Sequence, residues 1–321
     1  MPFPLSATAH TPGSIGNLGP GLDVLGAAIA GVGDSVTAEW SETPGLTIAD
    51  PGHPDLPGEP ERHTSGLAGL AILRLAEAAD VRLPPRGIVL TVRKGLPLSG
   101  GQGGSAASAV AGAAAVHALI GAPLDTTAVL GACLTAEETV AGRHLDNIAP
   151  SLLGGICLVR SLDPIDVVSL PVPSRLRVVL AHPDQHLRTA DARAVLPAVL
   201  ERHVALEQVA NVAAMVAALH SGDLALLGRA LVDRIAEPAR SPLIPGFTAA
   251  KAAALGAGAL GCSISGAGPT AFALCDSDVG AQRVAHAMRD AHEHHGVAAS
   301  VRVARFDLHG TRVETDPPSA R

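Results

Sequence analysis

The chain has 321 residues, 47% of them hydrophobic and 17% charged, which is enough apolar material for two packed domains and argues against intrinsic disorder. A formal net charge of −7, with 2% aromatics, no tyrosine and the single Trp40, argues against basic grooves and stacking platforms for nucleic acid. Only two of the 23 basic residues are lysines, Lys94 and Lys251. Neither is followed by Ser or Thr, so no lysine-bearing phosphate loop of the Gly-Lys-Ser/Thr kind is present.

The N-terminal residues 1–10 lack the basic and apolar regions of a secretory leader. Residues 35–49 alternate in the manner of strands, and residues 50–64, rich in Pro, Gly and charge, are expected to form a mobile loop. Leu67, Leu70, Leu73 and Leu75 give residues 65–79 helical spacing. Residues 87–93 (GIVLTVR) are β-rich and lead through a turn into an Ala-rich helix from about Ser105, with a second helix at 126–141 and a short strand at 156–160. The pattern resets at Pro171–Pro173. It continues with a strand at 176–181, an interrupted helical tract at 189–237 and a helix at 247–257. A glycine turn with a strand at 263–275, a helix at 279–295, a strand at 299–306 and a disordered tail at 315–321 complete the expected order. Strands and helices mix without strict alternation, so the expected class is α+β in two domains, 1–173 and 174–321.

Two charge-free stretches, 106–124 and 252–275, are dominated by Ala, Gly and Ser and read as buried helix and loop rather than membrane spans. Cys133, Cys157, Cys262 and Cys275 show no CxxC spacing and are expected to be small core residues of a reduced, cytoplasmic protein.

Three glycine clusters stand out. Residues 11–26 (TPGSIGNLGPGLDVLG) offer Asn17 and Asp23 on a loop that is either a surface turn or a close backbone approach to a ligand. In the second, Pro97, Leu98 and Ser99 lead into Gly100, Gly101, Gln102, Gly103 and Gly104, and Ser105 and Ala106 follow at the helix start. Glycine permits backbone angles that turn consecutive N–H groups onto one anion, and the helix N-terminus adds free donors and a favourable dipole. Ser105 is either the helix cap or a hydroxyl ligand for a phosphate-bound Mg2+. The third cluster, 263–270 (SISGAGPT), contains Gly266 and Gly268. Residues 101–106 and 266–271 also match the dinucleotide fingerprint G-x-G-x-x-G/A. The second precedes a strand, though, and after the first the nearest acidic residue, Asp125, sits beyond the helix.

Glu137 and Glu138 lie on the second helix, ahead of Arg143-His144-Leu145-Asp146-Asn147, and are either a solvated face or a source of a carboxylate for Mg2+. Arg193 and Arg240 sit near helix ends, where an arginine either pairs on the surface or clamps a carboxylate. His292-Glu293-His294-His295 lacks any metal framework and reads as a polar helix end.

Together these segments resemble the GHMP kinase superfamily and, within it, the homoserine kinase family. The resemblance rests on NLGPGLDVLG, PLSGGQGGSAAS and SGAGPTAFAL in that order, with HLDNIAPSLLGG (144–155), TADARAVLP (189–197) and EPARSPLIPGF (237–247) pointing to homoserine kinases, and it spans residues 5 to about 306. It implies ATP-dependent, Mg2+-assisted phosphorylation of the L-homoserine hydroxyl, a step toward threonine. The implied fold has an N-terminal domain like ribosomal protein S5 domain 2 and a C-terminal ferredoxin-like domain, usually in a homodimer. By resemblance, residues 97–106 would hold the triphosphate with Gly266 and Gly268 nearby, and Ser105 would ligate Mg2+ with Glu137, favoured over Glu138 by its spacing from His144. Asn17, Asp23, His144, Asp146 and Asn147 would contact homoserine, Asp23 and Asn147 holding its hydroxyl in line with the γ-phosphorus, while Arg193 and Arg240 take its carboxylate. No general base is assigned. This chain departs from the family pattern at Gly104, where relatives carry Ser, and at Gln102, where they carry Leu. Residues 63–69 read HTSGLAG where relatives have an Asn-Leu pair near the purine, so no adenine contacts are assigned. The alternatives are a GHMP kinase with another acceptor and a nucleotide-binding relative that has lost catalysis.

Overall fold

The computed structural model describes residues 3–317. The chain opens with β1 (Ser6–Gly16), β2 (Leu25–Ser41), β3 (Leu46–Asp50), α1 (Thr64–Ala78) and β4 (Gly87–Arg93), followed by α2 (Gly104–Ile120), α3 (Thr126–Val140), α4 (Ile148–Leu153), β5 (Ile156–Leu162) and β6 (Ile165–Leu170). After these come β7 (Arg177–Pro183), α5 (Thr189–Ala194), α6 (Arg202–Ser221), α7 (Leu224–Ala230), α8 (Ala236–Arg240), α9 (Phe247–Gly256), β8 (Gly261–Ile264), β9 (Ala271–Cys275), α10 (Asp278–His294), β10 (Ala299–Ala304) and β11 (Arg312–Asp316).

The class is α+β, as expected, on two sheets. The first runs β11-β1-β2-β4-β3, with β5 on the near end of β2 and β6 beyond it, while the second runs β10-β7-β9-β8. Every pairing is antiparallel except β3 with β4. The sequence reading places everything after residue 173 in the second half and treats 315–321 as a tail. In the structure β11 returns to pair with β1, Ser6 facing Asp316, while residues 318–321 lie outside the described residues.

Other differences have local causes. β1 escapes a pattern search because Pro12 and Gly13 interrupt it, and there its register against β2 shifts. The alternation at 35–49 is two strands, with a turn between β2 and β3. The loop before α1 is built of turns and tied down by His63, whose Nδ1 accepts the Ser65 N–H as the helix cap and whose Nε2 meets the Pro51 carbonyl.

Three apolar clusters fill the molecule. One lies between the first sheet and α1–α3, and the almost wholly buried α2 forms its centre. A third packs the second sheet on α9 and α10. Between them, a cluster joins Ile15, Leu25 and Ile29 of the first sheet to Leu180, Phe272 and Leu274 of the second, with Met215 and Leu219 of α6. Polar groups at the seam of the two sheets are therefore held by a continuous core.

All four cysteines are free and buried, in keeping with their role as small core residues. His294 and His295 bond back to their own helix, but His292 is fully buried against Gly246. No cluster of three or more His, Cys, Asp or Glu able to hold a metal occurs among the described residues. One helix, α6, is long and apolar enough to cross a membrane by length and composition.

Candidate active site

A cavity of about 480 Å3 opens at the seam, between the glycine loop, α3, the loop before α1 and the α5–α8 region. Its floor is the segment from Pro97 to Ser105. The loop carbonyls are held from behind. Thr270 Oγ1 donates to Gly100 O at 2.5 Å, Ser265 Oγ to Gly101 O at 2.6 Å, Ser14 N to Gln102 O at 3.1 Å and Lys94 Nζ to Gly104 O at 2.9 Å. Among the described residues none accepts a hydrogen bond from the N–H groups of residues 99–106, so these donors remain for a ligand. Gly103, not Ser105, caps α2. Its φ is +71° and a Cβ there would meet Ser14 Oγ at 2.1 Å, so only glycine fits.

Lys94 has a place that the motifs do not show. It is buried beneath the loop, paired with the fully buried Asp34 and donating to Ser108 Oγ at 2.8 Å. Asp34 in turn accepts the Gly95 and Leu96 N–H groups and the Ser108 hydroxyl. One buried ion pair with its hydrogen bonds satisfied thus fixes both stems of the loop.

Ser105 stands in the first turn of α2 and its hydroxyl donates to Glu137 Oε1 at 3.1 Å. Glu137 is 2% exposed and its Oε2 has no partner, whereas Glu138 faces solvent. Burial pushes the Glu137 carboxyl up, against the opposing pull of His144 and Ser105.

At the other end of the cavity charged side chains converge. Asn17, at φ +66°, donates its backbone N–H to Asp146 Oδ2 at 2.8 Å and its amide to Gly266 O at 2.9 Å, while its Oδ1 accepts the Asp23 N–H. Asn147 Oδ1 accepts from Ser14 Oγ at 3.1 Å. Arg193, at the end of α5, makes two hydrogen bonds to Asp23, at 3.0 and 3.2 Å. His144 Nδ1 lies 3.2 Å from Asp146 Oδ1. Burial alone would lower the His144 pKa, but Asp146, with Glu137 and Asp23 behind it, outweighs this and holds the imidazole up at about 9.

Arg240 differs from Arg193. It is 3% exposed and donates to two backbone carbonyls, Ala192 O at 3.0 Å and Gly266 O at 2.9 Å, with no carboxylate paired to it among the described residues. Burial and the nearby Arg193 both work against its charge. Asp233 and Glu237 set its position. Asp233 accepts the N–H groups of Ile235, Ala236 and Glu237, while Glu237 pairs with Lys251 and accepts from Ser263.

Comparison with known proteins decides the family. Residues 67–155 match the family described as GHMP kinases N terminal domain, and residues 215–294 the one described as GHMP kinases C terminal. The chain is 42% identical over 288 residues to the homoserine kinase of Chlorobium phaeobacteroides, covering 87% of this chain and 89% of that one. It is 39% identical to the homoserine kinase of Arabidopsis thaliana, covering 97% and 85%. The crystal structure of homoserine kinase from Cytophaga hutchinsonii superposes with a TM-score of 0.90 at 40% identity, covering 97% of this chain and 98% of that one. The chain belongs to the homoserine kinase family.

The GHMP kinase fold expected from the resemblance is therefore present, and a Rossmann oxidoreductase is ruled out. Most residues picked out by the homoserine kinase motifs line one cavity: Asn17, Asp23, Glu137, His144, Asp146, Asn147, Arg193, Arg240 and Gly266, with Pro97, Leu98, Ser99, Gly100, Gly101, Gly103, Gly104 and Ser105. Three do not reach it. Gln102 turns its side chain behind the loop, Ala106 is buried in the core, and Gly268 lies under the loop against Ile244. The motifs also leave out Lys94, Ser108, and a wall of Leu56, Pro57, His63 and Thr64. The signal for His63 was its position immediately before a helix, where a side-chain cap is needed.

Proposed function

We propose that the protein transfers the γ-phosphoryl group of ATP to the side-chain hydroxyl of L-homoserine, giving ADP and O-phospho-L-homoserine on the route to threonine. The observation that carries this reading is Arg240, a buried guanidinium paired with no carboxylate among the described residues, facing the cavity whose other end is the glycine loop. An uncompensated buried cation is costly, and a substrate carboxylate would relieve that cost with bidentate geometry. A sugar or other neutral acceptor has no group for it.

In this reading the free N–H groups of the loop residues that line the cavity, 99–101 and 103–105, receive the triphosphate, and Arg240 takes the homoserine carboxylate with Arg193, once Asp23 shares the latter. Asp23, Asp146 and the imidazolium of His144 surround the amino and hydroxyl ends, and Asn147 helps to orient the hydroxyl. That oxygen forms its bond to the γ-phosphorus as the bond to the bridging oxygen breaks, and the hydroxyl proton leaves to solvent. Phosphoryl transfer asks chiefly for alignment and charge neutralisation. The orphaned buried oxygen of Glu137 beside the Ser105 hydroxyl fits an oxygen-ligand site for a divalent cation. Ser105 and Glu137 would hold Mg2+, which when bound would neutralise the phosphates.

We further propose a cytoplasmic homodimer, with a division of the chain near residue 173. Sheet membership on either side of that point supports the division, β11 apart. The apolar side chains that α6 and the segment before it leave uncovered, Val199, Leu206 and Val209, support association of two copies rather than membrane contact.

The test is ATP consumption by the purified protein with homoserine, threonine, mevalonate and galactose offered separately. Homoserine should be turned over first by a wide margin. Preference for mevalonate or galactose would reassign the acceptor, and binding of ATP without any turnover would make the chain a nucleotide-binding relative.

A further inference from the structure

Gln102 lies within the glycine loop, yet its buried side chain points away from the cavity. Its Oε1 accepts from Arg302 Nη2 at 3.1 Å and its Nε2 donates to Thr270 Oγ1 at 3.3 Å. Arg302 lies on β10 of the second sheet, and its Nη1 reaches Ala30 O of β2 in the first sheet at 3.3 Å. No carboxylate pairs with Arg302 among the described residues, and burial works against its charge.

Thr270 is the hub of this group. A hydroxyl has one proton and two lone pairs, and here the proton goes to Gly100 O at 2.5 Å. The lone pairs face Gln102 Nε2 and His182 Nδ1 at 3.0 Å, which fixes His182 as the donor there. Every site on the hydroxyl is then used. The amide of Gln102 is likewise engaged at both ends, while its own backbone oxygen is held by Ser14 N. This group therefore fastens the loop from the rear at two alternate residues, Gly100 through Thr270 and residue 102 through both its main chain and its side chain.

We propose that Gln102 and Arg302 form a latch between the two sheets that sets the curvature of the loop and hence its affinity for the nucleotide phosphates. Both are positioning residues, since neither side chain touches the cavity. The inference rests on the kinase reading above, because it is the phosphates that register the curvature of the loop.

The latch predicts a selective effect. Gln102→Leu keeps the size of the side chain and removes both hydrogen bonds, leaving Arg302 and Thr270 each short of a partner. It should raise the KM for ATP and the dissociation constant for ADP about tenfold, with the KM for homoserine and kcat within about twofold. Arg302→Met should weaken nucleotide binding by a smaller factor, about threefold. In Gln102→Leu/Arg302→Met the nucleotide loss should fall well short of the product of the two single losses, because the two substitutions share the Gln102–Arg302 contact.

The decisive measurement is ADP binding by calorimetry on the full chain, with steady-state kinetics on both substrates. Equal loss of affinity for ADP and homoserine would make Gln102 merely structural and overturn the latch, as would multiplicative effects in the double variant. Absence of ADP binding by the unaltered protein would bring down the kinase reading and this one with it. Binding by the unaltered protein that Gln102→Leu leaves unchanged overturns this one alone.

Discussion

At one end of the cavity the loop from Pro97 to Gly104 presents main-chain N–H groups and is fastened from behind by Ser14, Lys94, Ser265 and Thr270. At the other end Asp23, His144 with Asp146, Arg193 and Arg240 arrive on four segments and face the cavity with charged side chains. Peptide groups cannot be substituted away, so the first end tolerates a change such as Gly104 in place of Ser provided its supports hold. The second end has no such reserve. Each charge there is a single side chain whose loss leaves its neighbours unbalanced.

The contrast can be broken most forcefully from behind the loop. Lys94→Met leaves Asp34, which is fully buried, without its cation, although the Gly95 and Leu96 N–H groups and the Ser108 hydroxyl still donate to it. Unfolding in urea should reveal a loss of about 3–5 kcal/mol. A loss below about 1 kcal/mol would mean that the backbone end does not depend on its buried supports. At the acceptor end, Arg240→Ala should cut kcat/KM for homoserine about 100-fold while leaving the KM for ATP within about twofold. Arg193→Ala should cost less, since Asp23 already offsets its charge. Equal losses for both substrates would place Arg240 outside the acceptor subsite.

Glu137 lies between the two ends and separates activity from stability. Glu137→Gln should lower kcat about tenfold or more at saturating Mg2+. The same change neutralises a buried carboxyl that has an unpaired oxygen, so the melting temperature without ligand should rise. A variant that loses both activity and stability would argue that Glu137 is a structural hydrogen-bond partner of Ser105 and nothing more.

The same contrast explains what could be read along the chain. The loop at 97–106 and the helix after it are legible because a glycine run before an Ala-rich helix is a local signal. The residues of the acceptor end were reached through motifs, but their pairings were not. Arg193 finds Asp23 170 positions away, and Lys94 finds Asp34 across 60, so neither pairing leaves a trace in spacing. β11 leaves no pattern, and its last two residues fall in the expected tail, because its partner β1 lies about 300 residues earlier and is itself disguised by Pro12 and Gly13. Gln102, which its place in the motif puts among the phosphate ligands, turns its side chain to the rear, since a loop residue's side chain can face either way without altering the pattern.

The smallest effect concerns pH, and it touches only the acceptor end. His144 is held at about 9, above its ordinary 6.5, by Asp146, Glu137 and Asp23. Between those values the folded protein binds more protons than the unfolded chain, so stability falls as pH rises. The contribution is complete below about pH 6.5 and gone above about 9. Glu137, also pushed up, acts in the same sense from its lower starting point. Behind the loop, burial pushes His182 down, so it stays neutral across this window and leaves the backbone end unaltered. The melting temperature should therefore drop by a few degrees from pH 6.5 to 9, and His144→Gln should flatten that decline, while ADP affinity of the unaltered protein changes little over the same range. A decline that persists in His144→Gln would remove the imidazolium from the acceptor end, and a parallel fall in ADP affinity would mean that the two ends of the cavity titrate together.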